Sequence, residues 1–390
     1  MEAEKNKIEK EKLAETKSEL QGQENSLQGR ENALQGREKS QEKPENIQKN
    51  PERLKILQKI AEFEKKGWWS KDVEDDPPTI PLTPDKVDYL NSKLSNKIIS
   101  KYAMGLSVKF VNNLLKTKQM IIKNVVGIEN FTKLKGQGAI LTCNHFNAYD
   151  NFCIHSVLRP YLRKEGKELH IIIREGNYTN FPGFFGFIMR HCYTLPLSAN
   201  YSTMKKFLSS LKVLLGRGEK ILIYPEQGMW WNYRKPRPPV NGAFRFAVEN
   251  NVPVLPMFIT MEDSDLIDGD GFSVQEYTLN ILPALYPDPE KSKKENIEWL
   301  KNENYRLWKE VYEDFYKIPL TYSTEGGDAG EKTAGDDDLA GKQNATRDAD
   351  GLATAVKENA TDGVSTTGER NATEDAEKTD VATTSGNINE

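Results

Sequence analysis

The chain lacks aromatic residues over long stretches at both ends. Its 15 Phe, 15 Tyr and 6 Trp all lie between Phe63 and Tyr322. Because aromatic side chains supply much of the buried area of a core, neither flank is expected to build a core of its own. We expect a disordered or weakly coiled-coil arm over 1–50, a folded domain over 51–323 and a disordered acidic tail over 324–390.

Other absences exclude whole classes of protein. The three cysteines, Cys143, Cys153 and Cys192, lack CxxC spacing, which argues against a disulfide framework or a zinc ribbon. No run of about 18 apolar residues occurs, so an ordinary transmembrane helix is not expected. The first residues also lack the apolar stretch of a secretory signal. We expect a protein of the reducing cytoplasm with no metal, cofactor or nucleic-acid partner.

The two flanks differ in repeats and in charge. The N-terminal arm contains a seven-residue repeat with Leu20, Leu27 and Leu34 in phase, but each repeat also carries a glycine, which disfavours a helix by about 1 kcal/mol. The tail over 324–390 has 16 acidic and 6 basic residues, whereas the whole chain has a formal net charge of −4. The rest of the chain is therefore net positive.

The middle of the chain alternates strand-like and helix-like patterns. Alternation of this kind, with unbroken apolar strands, predicts an α/β domain with a mixed, mostly parallel sheet flanked by helices. The predicted strands are GAILTCN (138–144), ELHIII (168–173), EKILIYP (219–225), VPVLPMFI (252–259) and YTLNILPAL (277–285). Predicted helices run over 201–215, over 242–249 and through KENIEWLKNENYRLWKEVYEDFY.

A basic segment precedes the predicted sheet. Residues 88–126 have a helical, amphipathic pattern, and the stretch from 91 to 135 contains nine Lys and one Glu. Two interpretations are open. The helices either pack on the sheet with a solvated Lys face, or rest that face on anionic lipid, with Trp68 and Trp69 nearby.

Two groups of polar residues follow predicted strands. His145 and Asp150 come directly after GAILTCN, where active groups of α/β sheets often lie, and an Asp at this spacing can return to orient the imidazole of a general base. Glu226, Gln227 and Gly228 follow the strand ILIYP, so Glu226 is expected at the same edge of the sheet.

These motifs, in this order, resemble the lysophospholipid and glycerolphosphate acyltransferase family. The resemblance rests on NHFNAYD, YPEQG and the proline-bracketed VPVLP, and it covers roughly residues 120–262. It implies that His145 is the general base for an acceptor hydroxyl and that Asp150 orients it. It also implies direct attack on the thioester of coenzyme A or acyl carrier protein, without a covalent enzyme intermediate.

The resemblance implies an acceptor-binding set as well. Glu226 matches the family glutamate that shapes the acceptor pocket, and Arg174 is a candidate phosphate contact. Two family arginines are missing, because Met229 stands in one position and Leu197 to Ala199 occupy the other region. Either the nearby basic cluster Arg234, Lys235 and Arg237, or Arg190, replaces them as a phosphate contact, or the acceptor lacks a simple glycerol phosphate. The full candidate set is Arg174, Glu226, Gln227, Gly228, Arg234, Lys235 and Arg237.

Several residues invite other interpretations. A metal site at His145, Asp150 and His155 is disfavoured by the spacing, so His155 is expected to pack within a helix. Cys143 is expected in the core rather than as a nucleophile, and His170 and His191 are expected in structural roles. The segment FPGFFGFIM (181–189) either packs as a core loop or contacts the acyl chain or membrane.

The function expected is that of an O-acyltransferase similar to 1-acylglycerol-3-phosphate acyltransferases. It would move a fatty acyl group to a hydroxyl of lysophosphatidic acid or a related lysolipid in phospholipid biosynthesis. Its partners would be the acyl thioester, the lysolipid acceptor and an anionic membrane surface, at the inner face of the cell membrane. The alternative is a non-catalytic membrane-surface binding or scaffold protein.

Overall fold

The computed structural model describes residues 48–324, and they form a seven-stranded sheet between layers of helices. The strands are β1 (Ile121–Val126), β2 (Ala139–Thr142), β3 (Leu169–Ile173), β4 (Thr194–Pro196), β5 (Lys220–Ile223), β6 (Val254–Ile267) and β7 (Ser273–Ile281). The helices are α1 (Pro51–Lys65), α2 (Leu94–Lys116), α3 (Ile128–Thr132), α4 (Asp150–Lys164), α5 (Glu175–Thr179), α6 (Gly183–His191), α7 (Tyr201–Gly216), α8 (Gly242–Asn250) and α9 (Lys293–Tyr316).

The sheet has the strand order β1-β7-β6-β2-β5-β3-β4. The central strand β2 pairs in parallel with β5 and β6, and β3 pairs in parallel with β5 and β4. The long strands β6 and β7 form an antiparallel pair, and β1 runs parallel to β7 at the edge. The expectation of a mixed, mostly parallel α/β sheet is confirmed.

Alternating side chains along the central strands separate two apolar layers. Ile140 and Ile221 belong to the layer that packs against α7 and α8, with Leu300 of α9 on the same side. Leu141 and Leu222 belong to the layer that packs against α2 and α4. Every residue of β2 and β5 is buried, and all of them except Thr142 and Lys220 are apolar, as is typical of strands covered on both faces.

The predicted strands and helices around this core are confirmed, whereas the basic segment differs from the expectation. Only Leu94–Lys116 of the predicted helical stretch over 88–126 is helical, and Ile121–Val126 is the edge strand β1. Half of the residues in the run IIKNVV are exposed in the structure, so the run lacks the unbroken burial of the central strands. Pairing with β7, which is distant in sequence, decides its conformation.

The Phe-rich segment over 181–189 is a helix rather than a loop. Its residues from Gly183 onward form α6, and Phe184 and Phe187 are buried against α2. Edge-to-face contacts join Phe184 to Phe110 and Phe187 to Tyr102. Phe184 and Phe187 therefore follow the packing alternative, whereas Phe181 and Met189 line the cavity described below, so contact of this segment with an acyl chain stays a prediction.

The structural roles expected of the other histidines agree with their burial. His155 lies in α4, His170 in β3 and His191 at the end of α6. Burial lowers the pKa of each to about 4, so all three are neutral at physiological pH.

The heptad repeat and nearly all of the acidic tail lie outside the described residues, so the domain boundaries stay predictions. Within residues 48–324, no helix combines the length and the apolarity needed to cross a bilayer.

A close approach between β2 and α7 depends on a glycine. A Cβ on Gly138 would lie 2.1 Å from the carbonyl oxygen of Leu215 and 2.9 Å from its Cα. Because only backbone surrounds this position, no side chain is able to move aside. We expect Gly138→Ala to lower the free energy of unfolding by about 3 kcal/mol or more, measured by urea denaturation.

The matched control is Gly216→Ala, next to the same leucine at the end of α7. No atom lies within 4 Å of a Cβ placed there. Its free energy of unfolding should change by less than about 1 kcal/mol. Equal effects of the two substitutions would contradict the proposed contact.

Candidate active site

The site is built at the carboxyl ends of β2 and β5. His145 follows β2, and Asp150 is the first residue of α4. Nδ1 of His145 lies 2.8 Å from Oδ2 of Asp150. Because a carboxylate accepts hydrogen bonds, Nδ1 carries the proton and the lone pair of the neutral imidazole lies at Nε2. The spacing predicted that Asp150 would return to His145, and the structure brings the two together.

The Asp150 carboxylate is buried and held by several donors. Oδ2 also accepts hydrogen bonds from the backbone N–H groups of Phe146 at 3.2 Å and Asn147 at 3.4 Å. Oδ1 accepts one from the hydroxyl of Tyr224 at 2.8 Å. These contacts fix the carboxylate, and through it the orientation of the His145 ring.

Tyr224 is a site residue that sequence reasoning did not single out. Its ring stacks on the His145 ring with centroids 4.2 Å apart. Burial, together with the nearby charge of Asp150, raises the pKa of Tyr224 well above its ordinary value. The phenol therefore stays protonated and donates. Its place two residues before Glu226, at the same strand end, was the available sequence signal.

A buried ion pair supports the His145 backbone. Oε2 of Glu226 accepts hydrogen bonds from the His145 N–H at 3.0 Å and from Nη2 of Arg237 at 2.9 Å. Arg237 also donates to the carbonyls of His145, Gly228 and Trp69. Both ionic side chains are 1–2% exposed. The pair therefore joins the loops after β2 and β5 to the segment between α1 and α2, which contains Trp69.

A cavity of about 450 Å³ opens beside this arrangement. His145, Asp150, Arg174 and Gln227 of the predicted set line it. Much of the remaining wall is apolar, including Ile173, Phe181, Met189, Leu197, Ile223 and Phe246. Such a cavity combines a histidine able to act as a general base with an apolar surface suited to an amphiphile.

The rest of the predicted acceptor set lies away from the cavity wall. Glu226 and Arg237 contact each other and the backbone, as described above. Arg234 pairs with Asp263 at 2.9 Å, and Lys235 pairs with Glu64 at 2.7 Å. The basic cluster thus divides among separate carboxylates. Acceptor binding by these residues stays a prediction. For Glu226 and Arg237, the structure shows a different contact, because both bond to the backbone of His145.

Arg174 follows β3 and points to two carboxylates that sequence reasoning did not identify. Its guanidinium donates to both oxygens of Asp72 at 2.6 Å and to Asp76 at 3.3 Å. Burial opposes its charge, but the contact with Asp72 raises the pKa of Arg174 above its ordinary value. No local pattern links residues about 100 positions apart, so the sequence held no signal for this contact.

Part of the chain is similar to a known protein family. Residues 123–260 match the family model described as Acyltransferase. These residues form an acyltransferase-family domain. The match includes His145, Asp150 and Glu226, and it confirms the resemblance drawn from the three motifs.

The chain also has structural similarity to a solved acyltransferase, although it lacks a curated relative. No curated protein matches the chain. Among solved structures, the chain is similar to the 1-acyl-sn-glycerophosphate (LPA) acyltransferase PlsC from Thermotoga maritima, with 17% sequence identity and a TM-score of 0.36. That similarity covers 58% of this chain and 83% of the PlsC chain.

Cys143 in this acyltransferase domain is buried in the core, as expected. Burial raises the pKa of its thiol well above the ordinary value, so the thiol is protonated at physiological pH. A nucleophile needs the thiolate, so the geometry favours His145 as the reactive group.

The Glu226–Arg237 pair generates a test of stability and activity. Glu226→Gln leaves Arg237 buried without a counter-charge, which should lower the free energy of unfolding by about 3–5 kcal/mol. Because the same glutamate holds the His145 backbone, acyl transfer should fall as well. Urea denaturation and a thioester-consumption assay measure the two effects.

The control is Asp263→Asn, the same acid-to-amide change at the exposed pair with Arg234. Surface pairs contribute at most about 1 kcal/mol, so stability should change little. If Glu226→Gln lowered the free energy of unfolding as little as Asp263→Asn does, the buried pair would not have the supporting role described here.

Proposed function

We propose that the protein transfers a fatty acyl group from acyl-CoA or acyl carrier protein to a hydroxyl of lysophosphatidic acid or a related lysolipid. One observation carries the proposal. The His145–Asp150 pair, with Nδ1 of the imidazole held by the carboxylate, lines a cavity that also has a large apolar wall. An acyl acceptor of amphiphilic character needs both features.

The proposed reaction proceeds without a covalent enzyme intermediate. Nε2 of His145 takes the proton of the acceptor hydroxyl as its oxygen attacks the thioester carbonyl carbon. The tetrahedral intermediate collapses, the C–S bond breaks, and the imidazolium returns the proton to the leaving thiolate. Asp150 stabilises the imidazolium, and Tyr224 and two backbone N–H groups hold Asp150 in place.

Substitution of the base tests this reaction. We expect His145→Ala to lower the rate of thioester consumption by about 10²–10⁴-fold, the usual contribution of a general base. Cys143→Ala should retain activity within a few-fold, because the buried thiol takes no part. Unchanged turnover in His145→Ala, or loss confined to Cys143→Ala, would contradict the mechanism. A wild-type chain that consumes no thioester while it binds vesicles would favour the scaffold alternative.

We also propose that the protein acts at the inner face of the cell membrane, through α2. Leu94 and Ile98 are 73% and 57% exposed near the start of this helix. Lys93, Lys97 and Lys101 are exposed beside them at a spacing of four residues. Exposed apolar side chains among lysines suit the surface of an anionic bilayer.

Vesicle binding tests the membrane surface. Lys97→Gln combined with Lys101→Gln should weaken binding to anionic vesicles by about 30-fold, since each lysine contributes about 1 kcal/mol near such a surface. Leu94→Ser with Ile98→Ser should weaken it further. The charge-matched control is Lys293→Gln with Lys294→Gln on α9, which covers the opposite face of the sheet. Equal losses for both lysine pairs would exclude α2 as the contact.

A further inference from the structure

The N-terminal segment between α1 and α2 crosses the wall of the cavity. Asp72, Glu74 and Asp76 all line it, although they lie outside the family-matched residues. Asp72 forms a two-point contact with Arg174, with both N–O distances at 2.6 Å, and Asp76 adds a third contact. Planar two-point contacts of this kind are among the strongest charge-assisted hydrogen bonds.

The chain fixes the position of Asp72 from both sides. The carbonyl of Lys71 accepts a hydrogen bond from Nε1 of Trp230 at 2.9 Å. Farther along, the N–H of Ile80 donates to Asn180 and the N–H of Leu82 donates to Glu175. The Asp72 contact with Arg174 therefore belongs to a segment that is hydrogen-bonded to the rest of the domain on both sides of Asp72.

Gly228 gives independent support for this placement. A Cβ at Gly228 would lie 2.8 Å from the Lys71 carbonyl oxygen and 3.0 Å from Oδ1 of Asp72. Its φ is not in the left-handed region, so the glycine is required by the close approach rather than by its backbone angle. The loop after β5 thus has room for Asp72 beside Arg174.

The charges on the cavity wall disfavour an anionic ligand. Among the lining residues within 48–324, Arg174 is the one Lys or Arg, while Asp72, Glu74, Asp76 and Asp150 are carboxylates. A phosphomonoester carries a charge of about −1.5 to −2 at pH 7. It would meet a cation whose two terminal nitrogens already contact carboxylates, and it would be surrounded by charges of its own sign.

We propose that Asp72, assisted by Asp76, determines acceptor specificity by occupying Arg174. The site then selects a monoacylated lipid whose head group has no net negative charge, and it rejects acceptors with a phosphomonoester. This inference rests on the proposed acyl transfer, but among the acceptors proposed above it excludes lysophosphatidic acid and favours a related monoacylated lipid without a phosphomonoester. The specificity arises from repulsion of the wrong head group as much as from attraction of the right one.

The test compares two acceptors that differ only in the phosphate, monoacylglycerol and lysophosphatidic acid. We expect the wild-type protein to prefer monoacylglycerol by about 10-fold or more in kcat/KM. The double variant Asp72→Asn with Asp76→Asn frees Arg174 and should shift this ratio toward lysophosphatidic acid by at least about 10-fold. Asp72→Ala is the second variant, which also removes the bulk of the side chain.

The control is Asp75→Asn, in the same segment. Asp75 is 99% exposed, pairs with Lys59 and does not line the cavity, so the ratio should stay as in the wild type. The inference is overturned if the wild type uses lysophosphatidic acid as well as monoacylglycerol. It is also overturned if the Asp72 variants leave the ratio where Asp75→Asn leaves it.

A binding measurement separates this inference from the proposed reaction. Calorimetric titration with glycerol 3-phosphate should give no detectable binding to the wild type and measurable binding to the double variant. That outcome, with no thioester consumed on any acceptor, would refute the proposed reaction while it supports the role of Asp72. Equal binding to both proteins, whether or not thioester is consumed, would refute the role of Asp72.

Discussion

The buried contact between Glu226 and Arg237 is the constraint on which the site depends. An isolated charge of either sign would be strongly unfavourable at this depth, so each side chain requires the other. Their remaining hydrogen-bonding groups engage the backbone of three separate segments, around His145, Gly228 and Trp69. The loops that carry His145 and its neighbours are consequently fixed by one ion pair as well as by the strands they follow.

The N-terminal segment completes the site that the family-matched domain begins. Ile60, Phe63 and Val73 form a small apolar cluster with Trp230, which follows the Glu226 loop directly. This cluster anchors the chain that then places Asp72 on Arg174. His145 and Asp150 belong to the family-matched residues, whereas three of the four carboxylates on the cavity wall lie outside them. Under the proposals above, reaction type and acceptor choice would be determined by different parts of the chain.

The sequence predicted the fold where local pattern and final environment agree. Strands β2 and β5 were recognisable because both faces are buried, and α9 because its apolar residues follow the helical period. Strand β1 was not, because half of its side chains are exposed and its partner β7 lies about 150 residues away. The three residues of β4 are too few to show a period at all.

The residues of the site, like the strands, could be predicted only where their local sequence pattern reflects their final environment. His145, Asp150 and Glu226 follow strands directly, so the rule about strand ends was sufficient to locate them. The adjacent basic residues looked like one phosphate-binding cluster, but Arg234, Lys235 and Arg237 reach three different carboxylates. Sequence proximity does not reveal side-chain direction in an irregular loop. The contact of Arg174 with Asp72 joins two segments whose separation along the chain hides it entirely.

Departures from the family motif concentrate on the cavity wall. Gln227 stands where the family has glycine, and its φ of 66° is the left-handed conformation that glycine adopts without strain. The turn is thus preserved at some cost, while the side chain of Gln227 lines the cavity. Met229, in place of the family arginine, lines it too. His145, Asp150 and Glu226 thus match the family motifs, whereas Gln227 and Met229 on the cavity wall do not. A wall that has Met229 where the resemblance places an arginine, and on which Arg174 contacts Asp72 and Asp76, agrees with the proposed transfer to a less anionic acceptor.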